Sequence, residues 1–386
     1  MKNAKLLLVA VLIIACVSIC FIGCTGNKQD GTEVVTDMAG REVSVTPGSY
    51  SRVLCIGAGA LRLYTYIGDA DKLCGVEDID NTTVEGRPAM FDGTARPYQM
   101  AWEETLNTLP SCGKGGPKAQ AAEDEKILAC NPDIVISEYE EPSLANTLQE
   151  KINVPVIVVK YGSSGVFDAK VAGSLTLLGK IFNKEEKATT LNNFIASEKA
   201  AIQERVKEVD VASQKKVYIC GLGQWGTTNE RFTSQNYMPF NVAKINNVVI
   251  DLAQDGIQEI TNEKFVDLAD DMEVIILDAA AANNIKTSIK KGERENPFTV
   301  CKAWQDGEVY LQMAYNAYYT NLELVLINTW WSAKCVYPDL FTDVDIDAKT
   351  AEVTTAFLGK DLTAAIKAKP LSYGGYQKIN TATFFA

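Results

Sequence analysis

Glu125-Lys126-Ile127-Leu128-Ala129-Cys130-Asn131-Pro132-Asp133-Ile134-Val135-Ile136 joins two periodicities in one short stretch. Its first half closes an amphipathic segment, Ala122–Ala129, whose apolar spacing predicts a helix. Its last residues open the run Ile134–Ser137, which predicts a buried strand. Pro132 punctuates the passage between them. Helix, proline turn and buried strand in that order are the repeating unit of an α/β layer.

The same alternation extends in both directions. Strands are expected at Val53–Ile56, Leu73–Val76, Val156–Val159, Val217–Cys220, Val274–Leu277 and Val309–Leu311. Helices are expected at Leu61–Ile67, Leu144–Lys151, Val166–Phe182, Glu185–Val209, Glu263–Leu268, Asn321–Val336 and Ala348–Leu358. Such a pattern predicts largely parallel sheets. Val166–Phe182 carries a helical apolar stripe and falls between two sets of strands. It is either a rigid connector between two lobes or an ordinary packing helix.

Gly57-Ala58-Gly59-Ala60-Leu61-Arg62 follows a strand and opens a helix, and Glu77 and Asp78 come about twenty residues later. This imitates a dinucleotide fingerprint, but Arg62 stands where a third glycine allows close packing. The turn can still aim N–H groups at an anion. Gly113-Lys114-Gly115-Gly116-Pro117 lacks the second half of a P-loop; it is either an exposed turn or a cleft-lining loop. Trp330, Trp331 and Tyr337 belong to a helical segment and are expected in the core. Tyr315, Tyr318 and Tyr319 follow a strand in a loop with Asn316 and Asn321, where clefts form in such folds.

Composition narrows the chemistry. The chain has 386 residues, 47% hydrophobic, enough for two domains with full cores. It has no histidine, which excludes Ser/His and Cys/His nucleophile systems and imidazole-held zinc. At the start, Lys2 and Lys5 precede the apolar run Leu6–Ile22, then Gly23 and Cys24. This order describes an export signal, with Cys24 placed to receive a lipid. Cys16 is a second candidate, and an uncleaved membrane helix is the alternative. Removing Lys2 and Lys5 from 37 basic residues leaves 35 against 49 acidic, a net charge of −14. That argues against nucleic acid or an anionic membrane surface as partner. Cys55, Cys74, Cys112, Cys130, Cys220, Cys301 and Cys335 show no CxxC pair and read mostly as free buried thiols.

Several segments together resemble one family, the solute-binding proteins of ABC importers for iron–siderophore, haem and cobalamin compounds. They are Val35-Thr36-Asp37-Met38-Ala39-Gly40-Arg41, Arg52-Val53-Leu54, Ile67-Gly68 and Asp71-Lys72-Leu73-Cys74-Gly75-Val76. Arg96-Pro97-Tyr98, Leu109-Pro110 and the glycine loop resemble one branch. The opening stretch, Asp306-Gly307-Glu308-Val309-Tyr310 and Tyr337-Pro338-Asp339-Leu340-Phe341 complete the set.

The resemblance implies an α/β fold with two Rossmann-like lobes, each on a parallel sheet, linked by a single long α-helix. It divides the chain into a signal peptide (1–23), a lipidated tether (24–33), an N-terminal lobe (34–162) and a connecting helix (163–182). A C-terminal lobe with a C-terminal tail (183–386) follows. The implied protein is a monomer held outside the cytoplasm by Cys24, with no catalysis and no cofactor of its own. Its partners are an ABC permease with its ATPase and a small iron or cobalt chelate. Glu125 and Glu263 match the glutamates that dock on permease arginines; each is equally a first-turn complement to a helix dipole.

The ligand itself does not carry over. An anionic siderophore would pair with Arg62, Arg96 or Arg231. Haem would take Tyr98, Tyr139 or Tyr161. Cobalamin would use aromatic walls such as Trp225 and Tyr318, with Tyr315 and Tyr319 beside them. The competing functions are a carboxylate-dependent hydrolase using Asp92, Glu103, Glu138 or Glu140, and a binder of a free metal ion or oxyanion.

Overall fold

The computed structural model describes residues 31–116, 123–163, 165–223, 228–249, 252, 254–290 and 297–384. The leader, Cys24, most of the tether and Trp225 lie outside the described residues.

Helix Asp124–Ala129 leads through Asn131, at φ 49°, into strand Ile134–Ser137. Arg52 and Asp133 bind each other's segments there. The Asp133 carboxylate accepts from the backbone N–H of Ser51 and Arg52, at 2.8 and 3.0 Å. The Arg52 guanidinium donates to the carbonyls of Asn131 and Cys130. Ile134–Ser137 thereby becomes the middle of a three-stranded parallel sheet, between Val53–Ile56 and Val156–Val158. All three strands are buried throughout, as strands covered by helices on both faces must be. A short parallel pair, Val76–Glu77 with Ser111–Gly113, joins this sheet through a bridge from Leu73 to Val53. The antiparallel hairpin Glu33–Thr36 and Glu42–Val45 packs alongside. Arg41 pins it with bonds to Asp37, Asn146 and the Val156 carbonyl.

The second sheet runs Gln377–Lys378, Val309–Gln312, Val274–Asp278, Val217–Cys220. The last three strands are parallel, and Gln377–Lys378 is antiparallel at the edge. The chain after Phe341 is thus an integral part of the fold. Helix Ile346–Leu358 sets Phe357 against Tyr66, ring centroids 5.0 Å apart, and against Phe194. The Leu371 N–H donates to the Gly93 carbonyl, and Lys360 donates to that of Ala101.

Between the sheets lie a helical turn, Gly165–Phe167, and two long helices, Ala169–Ile181 and Glu185–Arg205. Ala169–Ile181 packs on Ala60–Ile67 of the first sheet's layer. Glu185–Arg205 packs on Ala169–Ile181 and on Leu322–Val336 and Ile346–Leu358 of the second. The span is therefore carried by the 21-residue helix, about 30 Å long, and not by Val166–Phe182 alone. That helix was expected at Glu185–Val209, but as part of the second lobe and not as the connector. Glu198 holds it to both partners, accepting from Trp330 Nε1 at 2.7 Å and Lys349 Nζ at 3.0 Å.

Trp330, Trp331 and Tyr337 are buried, as expected. Six of the seven cysteines of the described residues are buried. Among the described residues no helix is long and apolar enough to cross a membrane.

Candidate functional site

The C-terminal ends of the two parallel sheets meet at a seam. Strand Val53–Ile56 ends in a turn at Gly57 and Gly59, with φ of 87° and 99°. A side chain is excluded at Gly59, where a Cβ would fall 2.7 Å from the Tyr161 ring. The turn does present an N–H to an anion, but the anion is the chain's own. Gly57 donates to Glu77 Oε1 at 3.1 Å.

From the second sheet, strand Val309–Gln312 runs into the loop 315–321, which crosses the seam. Tyr318 and Tyr319 are both left-handed, at φ 51° and 69°. Two such non-glycine residues in succession cost on the order of 1 kcal/mol each or more. Arg62 and Asn321 hold them there. Arg62 Nη2 donates to the carbonyls of Ala317 and Tyr318, at 3.0 and 2.9 Å. Its Nε donates to Asn321 Oδ1 and its Nη1 to the Tyr161 hydroxyl. Asn321 Nδ2 donates to the carbonyls of Tyr315 and Ala317. Tyr318 then reaches over and donates its hydroxyl to Glu77 Oε2 at 2.5 Å.

These bonds engage the arginines considered for a ligand with partners inside the fold. Arg62 is fully buried and stacks on the Tyr98 ring, 4.4 Å from its centroid. Arg96 is buried in an ion pair with Asp80, beside Tyr98. Arg231 is bound to Glu259 and the Ile260 carbonyl. All three are held by partners distant in the chain, which sequence spacing does not display. Tyr98 and Tyr161 are likewise buried, both with their hydroxyls bonded. Tyr139 lines a pocket of about 130 Å³ within the first lobe, with Asp124, Leu144 and Lys151.

What remains open at the seam is acidic and aromatic. Tyr319 is 36% exposed and packs on Tyr161, centroids 4.7 Å apart. Glu138 and Glu140 follow strand Ile134–Ser137, and Lys160 pairs with Glu140 at 3.2 Å. A pocket of about 150 Å³ is lined by Ser163, Ser234, Asn236, Tyr237, Tyr315 and Thr320. Burial pushes the Glu138 carboxyl up to about 8, and the charge of Glu140 adds to it. Burial likewise raises Glu77 to about 7, against the bonds from Tyr318 and Gly57. Asp278, buried at the end of the middle strand of the second sheet, is raised by burial to about 7, although Ala280 and Gln312 donate to it. Gln312 in turn meets Tyr237.

Of the four carboxylates considered for hydrolysis, Glu138 and Glu140 share the seam. Asp92 is held by Arg87, and Glu103 stands on helix Pro97–Leu106. Among the described residues no group of three or more Asp, Glu, Cys or His is placed to hold a metal ion. Asp278 was not foreseen, although its place at the end of an apolar run was a usable signal. Glu125 and Glu263 are exposed on helices Asp124–Ala129 and Asn262–Asp267.

A family model described as periplasmic binding protein matches residues 55–312. No curated protein matches the chain. Among solved structures, a periplasmic solute binding protein from Veillonella parvula superposes with a TM-score of 0.66 at 17% identity. It covers 92% of this chain and 100% of its own. The molybdate periplasmic binding protein MolA of Haemophilus influenzae, bound to molybdate, gives 0.65 at 16%, covering 85% and 98%. An ABC transporter solute binding protein from Sulfurospirillum deleyianum gives 0.63 at 20%, covering 90% and 99%. At these identities the likeness is one of fold.

Proposed function

The chain belongs to the periplasmic binding protein family, and on that premise we propose that it is the capture component of an ABC importer, carrying a metal chelate at the seam between its lobes. It would work outside the cytoplasm, tethered through Cys24, and hand its ligand to a permease driven by an ATPase. Glu125 and Glu263 would meet cations of that permease. No covalent step is assigned to it.

The observation that supports the choice of ligand is the charge of the seam. Its arginines are consumed by backbone carbonyls and internal carboxylates, while the charges of Glu138 and Glu140 bear on Tyr319. Tyrosine rings suit a ligand with apolar faces. Two carboxyl groups with a single lysine between them, Lys160 on Glu140, suit a ligand of neutral or positive net charge better than a bare oxyanion. A ferric siderophore of that charge fits first; haem and cobalamin remain in the class.

Thermal melting of the full chain against a panel separates the candidates. The panel holds ferric siderophores of different charge, haem, cobalamin, molybdate and bare iron or nickel salts. A neutral or cationic chelate at a hundred times its Kd should stabilise the protein by about 2.7 kcal/mol. Stabilisation by molybdate alone, or by bare metal alone, would sink the chelate assignment.

A further inference from the structure

Two helices of this chain are local copies of each other. Asp124–Ala129 carries Glu125-Lys126-Ile127-Leu128, and Asn262–Asp267 carries Glu263-Lys264-Phe265-Val266. In both, the glutamate is exposed and the third residue, Ile127 or Phe265, is fully buried. In both, the fourth residue is a large apolar side chain left in solvent: Leu128 is 50% exposed and Val266 51%. Each helix feeds the middle strand of its own parallel sheet, Ile134–Ser137 and Val274–Asp278. A helix that feeds a strand of its own layer runs against it, so both helices begin at the seam end of the molecule.

A lone exposed leucine needs no explanation. Two at the same place in two lobes, each one turn after an exposed glutamate, do. First-turn complementarity to a helix dipole accounts for the glutamates but not for the apolar residues. Neither glutamate forms an ion pair among the described residues; Lys126 pairs instead with Glu123. We infer that Leu128 and Val266 are paired apolar anchors, each seating in a socket of the membrane permease beside the cation that meets Glu125 or Glu263. The partner's surface must then offer the same combination twice, a basic group next to an apolar hollow. This rests on the permease-docking reading above and adds to it a desolvated contact that salt does not screen.

The test measures binding of the full-length, ligand-free chain to its own permease–ATPase complex in lipid nanodiscs, at low and at high salt. L128S and V266S should each weaken the complex about tenfold and the double variant about a hundredfold, at both salt concentrations. E125Q and E263Q should weaken it mainly at low salt. M90S, a control at another exposed apolar residue, should change nothing. Melting temperatures of all variants should match the parent, since these side chains are exposed. Unchanged binding by L128S/V266S, with loss in E125Q/E263Q, overturns the anchors and leaves docking intact. Unchanged binding in all four overturns the docking reading itself.

Discussion

Arg62 and Tyr318 stand 256 residues apart in the chain, yet the Arg62 Nη2 donates to the Tyr318 carbonyl at 2.9 Å inside a fully buried cluster. One guanidinium from the first lobe thus holds the strained loop of the second. Arg62→Ala would orphan the Tyr318 carbonyl and leave that of Ala317 to Asn321 alone. The expected loss is about 3–5 kcal/mol in urea unfolding. Arg62→Lys should recover only part of it, because an ammonium lacks the planar fork. A loss under about 1 kcal/mol in Arg62→Ala would show that the loop holds itself.

Glu77 makes the fold sensitive to pH. Its carboxyl has an ordinary value of 4.5 and is raised by burial to about 7. Between those values the folded protein keeps a proton that the unfolded chain has released. The stability from that proton is full below pH 4.5 and is lost as pH rises through 7. Glu77→Gln mimics the protonated group. Its stability relative to the parent should therefore climb by about 1.4 kcal/mol per pH unit over that window. A pH-independent difference in chemical denaturation would refute the assignment. Asp278, also raised to about 7, pulls in the same direction.

Glu138 should set the pH dependence of capture. It ionises near 8 because burial and Glu140 oppose its charge. A cationic ligand favours the ionised form, so its affinity should rise with pH until about 8 and then level. Below that point the slope should approach tenfold per pH unit. Glu138→Gln should bind more weakly and lose the slope. Titration calorimetry at four or more pH values reads both effects; a slope retained in Glu138→Gln would move the titration to another group.

Phe357 ties the C-terminal helix to the first lobe through Tyr66 and to the spanning helix through Phe194. Phe357→Ala should cost about 3–5 kcal/mol by opening a cavity at that junction. The melt should stay a single transition, because the lobes share one apolar core. Two separated transitions by calorimetry would show that the lobes unfold independently.

Cys24 is expected to carry the lipid. Cys24→Ser should abolish metabolic labelling with a tritiated fatty acid and release the protein from the membrane fraction. Labelling that persists would place the anchor at Cys16 instead.

The strands were legible because buried parallel strands are unbroken apolar runs: Val53–Ile56, Ile134–Ser137 and Val217–Cys220 match residue for residue. Helix Leu322–Val336 was found within one residue because it is a long apolar run, buried on every face from Leu322 to Ala333. Short elements held by distant partners were not legible. Glu33–Thr36 and Glu42–Val45 depend on Arg41 reaching Asn146. Gln377–Lys378 depends on pairing with Tyr310 and Leu311. The tyrosine loop was rightly placed at a strand end. Its role was only half visible, since local sequence does not reveal that the buried Arg62 would reach it.

The chain after Phe341 bears on how the protein folds. Its contacts with Gly93, Ala101 and strand Val309–Gln312 join segments far apart in the chain. Until they form, the second sheet lacks its edge and helix Pro97–Leu106 lacks its cover from Ile346–Leu358. Such long-range contacts form late and slowly. The first lobe therefore gains its full packing only after the segment beyond Phe341 has folded back onto it.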